Sequence, residues 1–126
     1  MSEATILIVA DDPILGRALT AVLNVKGYQT TSIDSSEWTP NLCASGKYDL
    51  LLVDEDLYDG AFAGFCNATR SVSQIPIVVM TGHPKKYSAY ALGDALNGHL
   101  AKPFGIQELF ACIHETVGTL SALPAV

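Results

Sequence analysis

The residues that could do chemistry in this chain are acids, one threonine and one lysine, and they share a placement. Asp11 and Asp12 follow the apolar run Thr5–Ala10, and Asp54 ends the run Leu50–Val53 with Glu55 and Asp56 behind it. Thr81 ends Ile75–Met80, and Lys102 ends His99–Ala101. Carboxylates gathered at one place repel one another and need a cation. Oxygen-only ligands favour Mg²⁺, which takes one or two carboxylates, keeps several waters and bridges to phosphate. A carboxylate can also attack phosphorus and form an acyl phosphate. Mg²⁺, a lysine ammonium and a threonine hydroxyl then neutralise or bond the phosphoryl oxygens.

Such a site needs elements that bring distant residues together. Apolar runs recur along the chain at Thr5–Ala10, Gln29–Ile33, Leu50–Val53, Ile75–Met80 and, more weakly, His99–Ala101. Leu50–Val53 and Ile77–Met80 lack polar alternation, the pattern of strands buried on both faces of a parallel sheet. Gln29–Ile33 is more polar and suits a sheet edge. Helical spacing fills the gaps. Asp12 is a good N-cap and Pro13 a good first residue for a helix carrying Leu15, Ala18, Leu19, Val22 and Leu23, which Gly27 closes. Further helices are predicted near 38–45, 64–72, 86–95 and 106–120. Repeated strand–helix alternation means right-handed βαβ units in a three-layer sandwich. Ligands of such sheets bind outside the carboxyl ends of the strands, where all the residues above would meet.

Composition narrows the class. The 126 residues, 49% apolar, suit one globular domain with a core at about 4–120 and a short tail at 121–126. That tail reads as a natural end or as the point where a longer protein was cut. The net charge of −6 opposes a nucleic-acid or anionic-membrane footprint. No apolar run approaches the ~20 residues of a membrane span, and the start lacks a signal-peptide pattern. Cys43, Cys66 and Cys112 are odd in number and widely spaced, which suits buried thiols in a reducing cytosol. A cytoplasmic location is expected. His83, His99 and His114 have no metal-ligand spacing.

Four blocks resemble the response-regulator receiver family of two-component signalling, chemotaxis-regulator-like. They are Ile6-Leu7-Ile8-Val9-Ala10-Asp11-Asp12-Pro13, Tyr48-Asp49-Leu50-Leu51-Leu52-Val53-Asp54, Ile75-Pro76-Ile77-Val78-Val79-Met80-Thr81-Gly82-His83, and Ala101-Lys102-Pro103-Phe104 followed by Glu108-Leu109. The resemblance covers nearly the whole chain. It implies a flavodoxin-like (βα)5 sandwich whose five parallel strands run in the order 2-1-3-4-5. It makes Asp54 the phosphoacceptor, served by a histidine kinase or a histidine phosphotransfer protein. Asp11, Asp54 and the backbone carbonyl of Asp56 would hold Mg²⁺, while Lys102 and Thr81 would bind the phosphoryl group. The Lys102–Pro103 bond would be cis, and Asp56 and His83 would govern phosphate lifetime. The downstream partner would be a separate protein or a fused output domain.

The chain also departs from the family. Ala10 stands where the first of two adjacent acids is usual, which implies weaker Mg²⁺ binding unless Asp12 compensates. The loop from Glu55 to Gly60 is acidic and short, with Tyr58 in place of a proline. His99 replaces the aromatic switch residue, and it reads as a pH-sensitive switch or as an exposed edge histidine. Two other functions compete with a working phosphoacceptor. One is a degenerate receiver that binds partners without phosphorylation. The other is a phosphatase of the haloacid-dehalogenase type, because Asp54-Glu55-Asp56 has that family's DxD spacing.

Overall fold

Buried apolar runs and helix caps build the architecture of the computed structural model, which describes residues 4–55, 61–82 and 97–122. The strands are β1 (Thr5–Val9), β2 (Gln29–Ile33), β3 (Leu50–Asp54), β4 (Ile77–Thr81) and β5 (Gly98–Ala101). They form a parallel five-stranded sheet in the order β2-β1-β3-β4-β5. The expected flavodoxin-like topology is therefore present. Every side chain from Leu50 to Val53 and from Ile77 to Met80 is inaccessible to solvent. Helices cover both faces of those central strands, so no position alternates outward. Edge strand β2 keeps a mixture of exposed and half-buried residues.

The described helices are α1 (Pro13–Val25), α2 (Asn41–Ala44), α3 (Phe62–Arg70) and α4 (Ile106–Ala122). Asp12 caps α1 by accepting from the Ile14 amide at 2.9 Å, and Pro13 takes the first turn. Gly27 follows that helix with φ 108°, a conformation that suits glycine. The second helix is shorter than its predicted span of 38–45. Trp38 is extended and Pro40 directly precedes the helix. Proline disfavours helical backbone in the residue before it, which keeps Thr39 out. Trp38 instead packs on Phe65, with ring centroids 4.7 Å apart. The helix predicted at 86–95, with Tyr87 and Tyr90, lies outside the described residues.

Two apolar layers flank the sheet. Ile6, Ile8, Leu50, Leu52, Val78, Met80 and Leu100 meet α1 and α4. Leu7, Val9, Leu51, Val53, Ile77 and Val79 meet Cys43 of α2 and Phe62, Phe65 and Cys66 of α3. At the amino end of β4, Arg70 donates to the Ile75 carbonyl at 2.6 Å and to Asn97 Oδ1 at 3.1 Å. Asn97 Oδ1 also accepts from the Ile77 amide at 2.9 Å. That network ties α3 to the starts of β4 and β5. No helix among the described residues is long and apolar enough to cross a membrane.

The three cysteines are free; Cys43 and Cys66 are buried and Cys112 is half-buried. Burial pushes the thiols of Cys43 and Cys66 up to about 11. In the unfolded chain they ionise first, at about pH 8.5. Folding then holds protons that unfolding releases, so stability falls with rising pH between those limits. Urea melts from pH 8 to 11 should show this alkaline loss, and it should shrink in a Cys43→Ala/Cys66→Ala chain. An identical pH slope in both chains would contradict the assignment.

Candidate functional site at the carboxyl rim

Strand register brings the polar residues to one edge. Asp54 lies opposite Met80 and Thr81 opposite Ala101. The Lys102 amide donates to the Thr81 carbonyl at 2.8 Å, which extends the ladder one residue past β5. Side chains alternate along a strand. Asp54 and Lys102 continue the set that includes Leu52, Met80 and Leu100, while Thr81 continues the set that includes Ile77 and Val79.

Asp54 and Lys102 meet directly. Lys102 Nζ donates to Asp54 Oδ1 at 2.8 Å, a charge-assisted contact. Asp54 and Glu55 are each only 6% exposed and Thr81 is fully buried. Thr81 Oγ1 donates to Glu55 Oε1 at 2.6 Å. Two carboxylates are thus buried side by side, one facing an ammonium and the other a hydroxyl. The predicted acceptor, lysine and threonine are all brought to this rim. The Lys102–Pro103 bond is cis, as the resemblance implied.

The β1 side is built differently. Ala10 is buried in the apolar layer with Ile8, Leu52 and Met80, so its methyl group extends the core where an acid was usual. Asp11 is exposed and accepts from the Ser35 amide at 2.7 Å and from Ser35 Oγ at 3.0 Å. Asp12 has its N-cap role. Among the described residues no three acids, histidines or cysteines cluster as metal ligands. Asp56 and His83 lie outside the described residues. His99 is exposed and lines a groove with Glu108 and Glu115 of α4.

Sequence reasoning missed the role of Glu55. It placed Glu55 in an acidic loop and assigned it nothing. The available signal was an acid directly after the acceptor, where the resembled family often has an apolar residue.

Similarity to known proteins agrees with this geometry. The family model for the response regulator receiver domain matches residues 6–114. The chain belongs to the response-regulator receiver family. It is 35% identical over 108 residues to the swarming motility regulation protein RssB of Serratia marcescens, covering 84% of this chain and 49% of that protein. It is 30% identical to the KDP operon transcriptional regulatory protein KdpE of Escherichia coli, covering 95% of this chain and 54% of that one. The chain therefore spans about half the length of the curated relatives it matches. The receiver domain of the sensor histidine kinase PA1611 from Pseudomonas aeruginosa superposes with TM-score 0.73 at 26% identity, covering 93% of this chain and 99% of that one. That structure has a magnesium ion in its active-site cleft. A receiver domain from Clostridium thermocellum gives TM-score 0.82 at 16% identity, covering 96% and 99%, and supports the fold alone.

The receiver's rim makes a stability prediction. Lys102→Met leaves Asp54 and Glu55 adjacent and buried without that ammonium. Removing one partner of a fully buried pair costs about 3–5 kcal/mol. Lys102 keeps part of its side chain in solvent, so a loss of roughly 1–3 kcal/mol at pH 7 is expected after allowing for screening. Urea denaturation of the parent and the variant checks this, and an unchanged midpoint would refute it.

Proposed function

We propose that this receiver domain accepts a phosphoryl group on Asp54 and uses it to switch a partner-binding face. The observation that carries this reading is the buried Asp54 carboxylate held at 2.8 Å by Lys102, with Thr81 on the adjoining strand end. A carboxylate oxygen of Asp54 attacks the phosphorus of a phosphohistidine on a histidine kinase or phosphotransfer protein. The new P–O bond forms as the P–N bond breaks, and the bonding pair leaves on the imidazole nitrogen, which takes up a proton. Lys102 orients the carboxylate before transfer and faces the phosphoryl oxygens afterwards. The group brings about −1.5 to −2 charges and strong acceptors, which draw donors such as Thr81 toward it.

Oxygen donors at Asp11 and Asp54 suit Mg²⁺, with the Asp56 carbonyl as a third ligand. A carboxylate oxygen has two lone pairs, so Asp11 can bond Ser35 and a cation together. Bound Mg²⁺ would offset the charge on the transferred group. Ala10 leaves this set one acid short. Asp12 is a poor substitute, because one of its oxygens already caps α1. Weakened Mg²⁺ binding follows from those two residues.

The output partner is a fused domain or a separate protein. The domain itself carries a net charge of −6, which argues against direct contact with nucleic acid. A cytoplasmic site of action fits a phosphohistidine donor. Asp54 ends the third strand rather than the first, which argues against the phosphatase reading. One observation does favour the phosphorylation-independent alternative: Thr81 and Asp11 already bond protein groups, Glu55 and Ser35.

Intact mass after incubation with acetyl phosphate and Mg²⁺ separates the two readings. The parent should gain one phosphoryl group and Asp54→Asn none. Half-maximal labelling should need roughly tenfold more Mg²⁺ than a receiver with both acids, the scale of outer-sphere effects on metal sites. No gain under conditions that label a control receiver would leave only the alternative. His99 offers a second readout. If it reports the switch, its proton titration by NMR shifts on phosphorylation; an unchanged titration makes it an edge histidine.

A further inference from the structure

The bond between Glu55 and Thr81 is not explained by phosphoryl transfer. Glu55 directly follows the acceptor in the chain, so its carboxylate moves with the Asp54 backbone. It is nearly inaccessible to water, and Thr81 is fully buried. Their 2.6 Å separation lies in the short range of a hydroxyl bonded to a carboxylate. A threonine hydroxyl has one hydrogen to donate. In the resting chain that hydrogen is directed to Glu55.

We infer that Glu55 is a positioning residue that competes with the phosphoryl group for Thr81. This rests on Asp54 being the acceptor. A phosphoryl group recruits Thr81 only by taking its hydroxyl from Glu55. That exchange takes one hydrogen bond away from a buried carboxylate, which is unfavourable. It also places a second anion beside Glu55, which is repulsive. Glu55 therefore acts as an internal stand-in for the phosphoryl group. It engages the threonine before any phosphate arrives and reduces what phosphorylation adds.

A double-mutant cycle tests this. Initial rates of phosphoryl gain from acetyl phosphate are measured by intact mass for the parent, Thr81→Val, Glu55→Met and the double variant, each checked for a cooperative thermal transition. In that reaction a P–O bond to Asp54 forms, the P–O bond to acetate breaks and acetate leaves with the pair. If Glu55 holds Thr81, losing the hydroxyl slows the parent, but by a smaller factor than it slows the Glu55→Met chain. In the Glu55→Met background, where Thr81 is released to the phosphoryl group, the same loss slows the reaction by about tenfold, a modest share of what one donor to a developing oxyanion can contribute. Glu55→Gln keeps the shape and the acceptor oxygen without the charge, and it should lie between. A parent that stays unlabelled while Glu55→Met is labelled also supports the competition. Equal effects of Thr81→Val in both backgrounds overturn it while leaving Asp54 as the acceptor. No labelling in any chain overturns the acceptor reading, and this inference with it.

Discussion

The rim depends on how two adjacent buried carboxylates are satisfied. Asp54 ends β3 and Glu55 follows it, and both are almost fully removed from water. An ionised carboxylate in such a place needs a cation or donors. Lys102 provides an ammonium to the first and Thr81 a hydroxyl to the second. Neither partner is near in sequence. Each arrives on a different strand, so the pairings require β4 and β5 to be correctly registered. The Lys102 amide bonded to the Thr81 carbonyl links those two partners through the backbone as well.

Strand geometry explains why the two pairs stay separate. Asp54 closes β3 and Glu55 lies just past it, and their partners Lys102 and Thr81 continue opposite faces of the sheet. Lys102 belongs to the face covered by α1 and α4, as Asp54 does. Thr81 belongs to the face covered by α2 and α3. The apolar interior holds this arrangement in place. A one-residue slip of β3 would turn Asp54 toward the wrong layer and move each apolar side chain of the strand into the layer it does not now fit. The same burial that stabilises the sheet therefore selects which acid meets the lysine.

Much of the fold was legible in the sequence. Continuous apolar runs at β3 and β4 announced strands covered on both faces, and a polar β2 announced an edge. Asp12-Pro13 and Gly27 marked both ends of α1. The second helix was overestimated, because apolar spacing around Trp38 resembles a helix face while Pro40 restricts the backbone before it. Placement after strands predicted that Asp54, Thr81 and Lys102 meet at one rim, and the register brings them there. The Glu55–Thr81 bond was not legible. It depends on which way an acid turns at a strand end and on what lies across the sheet. Periodicity carries neither. The Arg70–Asn97 network was equally invisible, since the two residues belong to separate elements and share no motif.

The two sides of the rim have different chemistry for a physical reason. On the β3–β5 side, charge is offset by residues whose positions follow from sheet register. On the β1 side, the protein satisfies its own groups. Ala10 adds a methyl to the core, Asp12 satisfies a helix amide, and Asp11 accepts two hydrogen bonds from Ser35. Each of these removes or divides an oxygen that could otherwise face a cation. In the proposed phosphoryl transfer, charge neutralisation would fall more heavily on Lys102, whose approach is already directed by its bond to Asp54. Glu55 would work against it in that transfer, as one more carboxylate beside Asp54. At this rim the ammonium of Lys102 meets one carboxylate while the hydroxyl of Thr81 meets the next, and each pairing depends on the register of a different strand.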